Sequence, residues 1–502
     1  MSPIRLSTEE SIDGFYRFIF AKEAARAPYI YGLKLPDPEE LYGSDFGPSD
    51  PQFRTLNDRL ITILQAAVHL EYIFFPITAN LDPVLTIAAK MTSLRELSIF
   101  LIYDSPWEFL STFRSSLRSL DIREGDIDDS ESVSAGLLHN HLANFAPTLE
   151  VLNLQYFNNF DIMPSFMTTQ FTAVRSLTIS NVILFDHFTM EILLRLFPGL
   201  DRTLDLDTLQ PTHGEDVYLD WREVKQDVQK TCAWPRLDRV VCEAEGVFLM
   251  ALQCPIRHME TRVPCDQKRY LAPALRHNYP QRLHCVVTFV DGLDDLDGEL
   301  FPSEGAERLT HLSMVARLEV GWPPKFRLTQ IPWPQFRDKM IASLSHLRRL
   351  THLRLVFHYD VFQHDPESDP TLLYATDEAD LQLAATELAR TIPTLQYVFL
   401  INYGKKRKCI PHCTSPNLGR YQTTMWLSSK GWQVVRHHDA ERHPDSEPSV
   451  ADAEVEASCA ELSSSAADRI IDEEELYLPR DEEDRLRDFT KRFDGLVQTL
   501  EI

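Results

Sequence analysis

The amino-acid sequence predicts an α/β fold in which amphipathic helices alternate with parallel strands, and three observations predict it. An apolar phrase, L-x-x-L-x-[LI], recurs along the chain at intervals close to one supersecondary unit. A stripe of apolar residues at helical spacing precedes many of its copies, as residues 133–145 do before Leu149. The chain is 502 residues long and 44% hydrophobic, which is enough to bury a large core. Together these features indicate one repeating body.

The phrase itself explains why strands are expected. Its clearest copies lie at 94–99, 117–122, 149–154, 174–179 and 350–355, and looser copies lie at 200–206, 237–242, 309–314 and 395–400. The second and third apolar residues are two positions apart, so on a strand both point to the same face. The first copies start roughly 24 residues apart, which is typical of leucine-rich repeats. We therefore predict a leucine-rich-repeat solenoid, a horseshoe with a parallel inner sheet and outer helices.

Four segments follow from the composition of the chain. Residues 1–26 are predicted to form an N-terminal capping helix, because Ser7 and Glu10 have capping-box spacing and apolar residues follow at helical intervals. The solenoid is assigned to residues 27–436. Residues 437–478 are rich in Glu, Asp, Ser, Pro and Ala and are predicted to be an acidic disordered segment.

The last segment, residues 479–502, is predicted to be an amphipathic helix. Its apolar residues recur at steps of three and four, as Leu486, Phe489, Phe493, Leu496 and Leu500. We expect this helix to cap the last repeat, because solenoid ends need covering, or alternatively to bind another protein.

The charge balance restricts the partners of the chain. There are 50 basic and 75 acidic residues, giving a net charge of −25. A strongly acidic chain is unsuited to nucleic acid or an acidic membrane surface, so a protein partner is expected. The first ten residues lack a basic cluster followed by an apolar stretch, and no apolar window of about 18 residues occurs. We expect a cytoplasmic or nuclear protein. The basic run 405–408 is interpreted as a solvated turn, with a nuclear signal as the alternative.

The sequence lacks the common motifs of catalysis and cofactor binding, including phosphate-binding glycine loops, a nucleophile elbow and the H-E-x-x-H metal motif. We therefore expect a protein that is not an enzyme, with no catalytic residue, no cofactor and no metal ligand. The alternative considered is a metal site in the Cys409–Cys413 region, where His412 stands between two thiols. The paired C-x-x-C spacing of structural zinc sites is missing there.

The chain resembles the leucine-rich-repeat region of F-box proteins, particularly the large set found in basidiomycete fungi. The resemblance is carried by the opening helix 11–18 with the following segment 27–35, by the repeated phrases, and by the closing segment 426–436 ahead of an acidic tail. It covers roughly residues 9–436. It implies the substrate receptor of a cullin-type ubiquitin ligase, in which an F-box binds the adaptor and the repeats hold the target. No F-box is detectable ahead of the first repeat, so no residue is assigned as an adaptor contact.

The function predicted from the sequence is therefore protein binding by the concave strand face. The candidate residues are those that alternate with the buried apolar positions: Glu96, Ser98, Phe100, Ser119, Asp121, Arg123, Asn153, Gln155, Thr178, Ser180, Asp205, Asp207, His352, Arg354, Tyr397 and Phe399. Phe100, Arg123, Arg354, Tyr397 and Phe399 are favoured by residue type, because aromatic residues and arginine dominate binding hot spots. The alternative is a scaffold that binds through the acidic tail and the terminal helix.

Overall fold

The structure is a computed structural model and forms two compact units, residues 1–241 and 242–502. It describes the whole chain except residues 1, 22–25, 38–40, 42–50, 77–80, 102–106, 125–132, 156–159, 162–168, 183–188, 209–214, 290–299, 303, 305–306, 320–332, 364–377, 410–420, 438–455, 494–496 and 502.

Unit 1 is built on a sheet of parallel strands. The strands are β1 (Ile4–Arg5), β2 (Gly32–Lys34), β3 (Tyr72–Phe75), β4 (Glu96–Leu101), β5 (Ser119–Glu124), β6 (Val133–Ser134), β7 (Val151–Gln155), β8 (Phe160–Asp161), β9 (Ser176–Val182), β10 (Thr203–Thr208) and β11 (Leu237–Val241). The main sheet runs β1, β2, β3, β4, β5, β7, β9, β10, β11, and every pairing in it is parallel.

The repeated phrase sets the register of this sheet. Its second apolar residue occupies the same level in successive strands, in the order Leu33, Ile73, Leu97, Leu120, Leu152, Leu177, Leu204 and Val240. All of these side chains are at most 1% exposed. Because side chains alternate along a strand, this buried row fixes the residues between as the opposite face.

Helices and 3₁₀ turns link the strands of unit 1. The helices are α1 (Glu9–Phe20), α2 (Pro51–Ala66), α3 (Asp82–Lys90), α4 (Ala135–His141), α5 (Thr189–Leu196) and α6 (Glu215–Thr231). The helix predicted at the start is present, but its N-cap is Thr8, whose hydroxyl accepts from the Ser11 amide while Ser11 Oγ accepts from the Thr8 amide. Short side chains fill both capping roles, so the predicted Ser7 and Glu10 are not the pair.

Unit 2 repeats the pattern with longer strands. They are β12 (Ile256–Val263), β13 (Arg282–Phe289), β14 (His311–Glu319), β15 (His352–Gln363), β16 (Tyr397–Cys409), β17 (Tyr421–His437), β18 (Glu456–Glu461) and β19 (Val497–Glu501). Strands β12 to β16 are parallel in sequence order. Strand β17 then turns antiparallel, and β18 and β19 pair with its two halves. The helices are α7 (Ala244–Met250), α8 (Lys268–Asn278), α9 (Trp333–Leu344), α10 (Glu378–Thr391), α11 (Ser464–Glu473) and α12 (Arg480–Arg492).

The predicted α/β class with a mostly parallel sheet is therefore confirmed. The basic run 405–408, expected in a solvated turn, instead lies within β16. There Lys405 Nζ and Arg407 Nη2 lie 3.1 Å and 2.8 Å from the carboxylate oxygens of Asp360 on β15.

Two expectations for the C-terminal part are wrong. The acidic segment 437–478 was predicted to be disordered, yet residues 456–478 contain β18 and α11; residues 438–455 lie outside the described residues. Composition failed here because the carboxylates of this segment pair with arginines of the sheet. The terminal helix was predicted over 479–502, but α12 ends at Arg492, and Leu500 lies in β19. The backbone of Phe493 is extended, with φ −102° and ψ 109°, which ends the helix, and the backbone groups of β19 pair with β17 instead.

The register of unit 1 yields a stability prediction. Replacing the fully buried Leu152 by alanine leaves a cavity between two neighbouring leucines of the row, so we expect Leu152→Ala to lower the free energy of unfolding by about 2–5 kcal/mol. Urea denaturation followed by circular dichroism measures this. Asn153→Ala, one position along on the opposite face, is the matched control and should cost under about 1 kcal/mol; equal losses would contradict the assignment of faces.

Candidate functional site

The candidate residues of unit 1 lie on one face of the sheet, in rows that run across the strands. Glu96 and Ser119 share one level, Ser98, Asp121, Asn153, Thr178 and Asp205 share the next, and Phe100, Arg123 and Gln155 share a third. Ser180 and Asp207 lie near the ends of β9 and β10, where the register shifts between Leu206 and Thr208. The structure therefore brings together the residues that the repeat pattern singled out in this unit.

The centre of this face is a hydrogen-bonded group. Ser98 Oγ donates to Asp121 Oδ2 at 2.8 Å, and the Arg123 guanidinium donates to the same oxygen through Nη2 at 2.9 Å and Nε at 3.2 Å. The Arg123 side chain remains 39% exposed. Its position is thus fixed on one side while its remaining N–H groups are available to a ligand.

A cleft of about 910 Å³ opens beside this group, at the start of the strands. It is lined by residues that the sequence did not flag, among them Tyr29, Tyr31 and Tyr72, and by the flagged Glu96. Tyr29 and Tyr31 are 75% and 41% exposed. Burial, followed by the nearby Asp121 and Glu96 carboxylates, raises the pKa of Tyr72 and keeps its hydroxyl protonated as a hydrogen-bond donor. We name the three rows and this cleft the open face of unit 1.

The remaining four candidates are placed differently. His352, Arg354, Tyr397 and Phe399 lie in register on β15 and β16. They are covered by α11, α12 and the turn between them, residues 464–492, which we name the C-terminal arm. Phe399 is 2% exposed and packs against Ile470 and Leu476 of the arm. The expectation that these four are open to a partner is therefore wrong for the structure as it stands, because the chain itself occupies this surface.

Arg354 shows how closely the arm fits. Its side chain is 4% exposed, and the guanidinium donates to the Leu476 carbonyl at 2.9 Å and to Glu483 at 2.7 Å and 3.2 Å. Glu483 also accepts from the Leu478 amide at 2.9 Å. Burial alone would raise the pKa of the Glu483 carboxyl, but the hydrogen bonds and charge of Arg354 outweigh it, and the net shift is downward.

Two histidines lie beneath the same segment. The rings of His311 and His352 stack with centroids 4.5 Å apart, and His311 Nε2 lies 3.1 Å from Glu474 of the arm. Burial lowers the pKa of His352 to about 4, with His311 as the next contribution, and burial also lowers the pKa of His311. Both rings are therefore neutral at pH 7.

His311, His352 and Glu474 form the one group among the described residues with the donor set of a metal site. Their ligand atoms lie within 4.8 Å of one another. The two rings are only 5° from parallel, so an ion in the plane of one ring would lie outside the plane of the other. This arrangement suits ring stacking better than coordination. In the Cys409–Cys413 region, Cys409 ends β16 and residues 410–413 lie outside the described residues.

No protein-family model and no curated protein matches this chain. Within the part of the chain that the structure describes, no helix combines the length and apolarity needed to cross a membrane.

The buried histidine generates a pH prediction. His352 has a folded-state pKa of about 4 against 6.5 in the unfolded chain, so below pH 6.5 the unfolded state binds more protons and stability falls as the pH falls toward 4. In His352→Gln this contribution disappears. Between pH 7.5 and 5.5 the wild type should lose about 1 kcal/mol more unfolding free energy than the variant.

Urea denaturation at several pH values measures this difference. Leu152→Ala provides the control, because it lowers stability without changing a titratable group, and it should follow the pH dependence of the wild type. Parallel pH curves for wild type and His352→Gln would contradict the assignment of His352 as a buried neutral imidazole.

Proposed function

We propose that this chain is a non-enzymatic leucine-rich-repeat protein that binds another protein through the open face of unit 1. The observation that carries the proposal is the alignment of Glu96, Asp121 and Arg123 in adjacent rows of one parallel sheet, beside a cleft lined by tyrosines. Repeats that present residues of mixed charge and aromatic type on a rigid sheet are suited to recognising an extended protein surface.

The residue types support a protein as the ligand. Tyr29 and Tyr31 offer large exposed rings with a polar end, and Arg123 offers a preorganised fork for a carboxylate. Asp121 and Glu96 place negative charge beside it, so the face favours a partner with paired charges of both signs. A polyanion is disfavoured by this mixed face and by the net charge of −25.

We propose a ubiquitin-ligase setting for this activity, which the resemblance to F-box proteins supports. On that proposal the open face holds the target, and a cullin-type adaptor would bind an F-box supplied upstream. The proposal of target binding does not depend on the adaptor, since the open face is built from unit 1 alone.

The scaffold alternative, binding through the acidic tail and terminal helix, is less favoured. A helix that recruits a partner needs its apolar stripe free, and Leu486 of α12 is 7% exposed and belongs to one apolar cluster with Val315, Val356 and Tyr403. The metal-protein alternative rests on the Cys409–Cys413 region, of which residues 410–413 lie outside the described residues.

The experiment is quantitative affinity purification from native cells of the tagged full-length protein and its Arg123→Glu and Phe100→Ala variants, with mass spectrometry. Since charge reversal beside Asp121 opposes the recognition of a carboxylate, we expect at least a tenfold loss of a specific co-purifying protein in Arg123→Glu. Phe100→Ala should reduce recovery by a similar factor if its ring is an anchor.

Lys90→Glu is the matched control. It reverses one positive charge, as Arg123→Glu does, but at an exposed position at the end of α3 rather than on a strand. It should leave recovery unchanged. Recovery of the same proteins with all variants would argue against the open face as the binding surface. Co-purification of a cullin and its adaptor would support the ubiquitin-ligase setting. Recovery of a target protein without them would contradict that setting but not target binding by the open face.

A further inference from the structure

Five arginines of unit 2 meet five acidic residues of the C-terminal arm. Arg257 pairs with Glu475 at 3.9 Å, Arg262 with Asp481 at 2.7 Å, Arg282 with Glu475 at 3.3 Å and Glu474 at 4.0 Å, Arg317 with Glu482, and Arg354 with Glu483 at 2.7 Å. All five arginines lie on β12 to β15. We name them the arginine face. The surface is basic although the chain as a whole is strongly acidic.

An apolar row lies beside the arginine face. Val286, Val315, Val356 and Ile401 share one level of β13 to β16 and are at most 5% exposed. Leu478 and Leu486 of the arm pack on this row, and Phe489 lies partly buried against it. The surface thus combines positive charge for a carboxylate cluster with an apolar groove for leucine side chains.

The arm reproduces the chemistry of a bound peptide. It places two carboxylate clusters, 474–475 and 481–483, on either side of Leu478 and makes a sharp turn at Glu475, whose φ is 51°. Repeat proteins bind ligands on the strand face that the arm covers, and Arg354 and Phe399 were singled out on that face from the repeat pattern alone. The chain therefore fills a surface of the kind that binds partners.

We propose that the arginine face and its apolar row form a docking surface for an acidic amphipathic segment of a partner protein, and that the C-terminal arm is its competitor within the chain. The surface belongs to unit 2, so this inference does not rest on binding by the open face of unit 1. The partner segment carries two carboxylate clusters separated by leucine or a similar apolar residue.

The arm belongs to the same chain as the surface that it covers, and this favours it over a segment of a separate partner. Strands β18 and β19 flank the arm in the chain and both pair with β17, so the arm is present at an effective concentration on the order of millimolar. A free segment of equal intrinsic affinity competes poorly with it. Loosening the arm should therefore raise the affinity for a segment supplied in trans.

The test uses a fluorescein-labelled synthetic peptide of residues 464–493 and the full-length protein, with binding read by fluorescence anisotropy. The arm is loosened by Glu483→Ala with Leu486→Ala, which removes the partner of Arg354 and one apolar anchor. We expect this double variant to bind the peptide at least tenfold more tightly than the wild type. Adding Arg354→Ala to the double variant should weaken binding at least tenfold, and raising the salt concentration should weaken it further.

Two controls separate recognition from general attraction. Arg349→Ala in the same double variant changes an exposed arginine just before β15 and should leave binding unchanged. A peptide with glutamine in place of Glu474, Glu475, Glu482 and Glu483 keeps the length and apolar residues and should not bind. Circular dichroism and urea denaturation verify that each variant is folded.

If the double variant does not fold, a protease site placed within residues 438–455 of the wild-type chain gives a second measurement. After cleavage, an excess of a labelled peptide of residues 456–501, which carries β18 and β19 as well as the arm, should exchange for the cleaved segment and co-elute with the protein in gel filtration. Binding that Arg354→Ala leaves unchanged, or no binding to either the loosened or the cleaved protein, would overturn the proposal. Concentration-dependent dimers of the loosened variant, dissolved by the peptide, would assign the surface to a second copy and overturn the claim of a separate partner.

Discussion

The register of apolar side chains across parallel strands is the constraint on which this structure depends. In unit 1 the row from Leu33 to Val240 and in unit 2 the row from Met259 to Val398 stay at one level from strand to strand. A slip of one residue in any strand would turn its leucine toward the opposite face and its polar neighbour into the core. The position of every candidate binding residue is thus a consequence of where the leucines are buried.

In each unit the residues that alternate with the buried row form the other face of the sheet. This face differs between the two units because the residue types differ. In unit 1 they are short and polar, such as Ser98, Asn153 and Thr178, with carboxylates and Arg123 among them. In unit 2 they include arginines and a row of valines. The arginines need carboxylates if they are to be buried, and the valines need apolar side chains against them. The arm supplies both kinds of partner at once. Burying the Glu482 carboxylate still costs free energy. Burial raises the pKa of Glu482 although Arg317 pairs with it.

The sequence alone predicted which face of a strand each residue lies on, because this depends only on the short-range pattern of apolar residues. Because Leu97 and Ile99 are two apart, their face could be predicted, and with it the faces of Ser98 and Phe100. The alternation also placed His352 and Arg354 correctly on the face of β15 away from the core.

What covers that face could not be predicted in the same way. Arg354 and Glu483 are 129 residues apart, and no local pattern connects an arginine between leucines with a glutamate in an acidic tail. Acidic composition was interpreted as disorder because the arginines that neutralise it lie elsewhere in the chain. The tyrosines of the cleft were missed for a simpler reason. Tyr29 and Tyr31 lie ahead of β2, which begins at Gly32, so the alternation along the strands that singled out the candidates does not extend to them.

The arm follows in the chain the strands that it covers, and this order affects biosynthesis. During translation the strands β12 to β16 emerge before residues 464–492 are synthesised. Until then their valines and arginines are exposed to solvent. A nascent chain at this stage presents a basic and apolar surface close to ribosomal RNA, which is a polyanion. Slow translation of residues 464–492 would prolong that stage, and a chain that terminates before them would retain it.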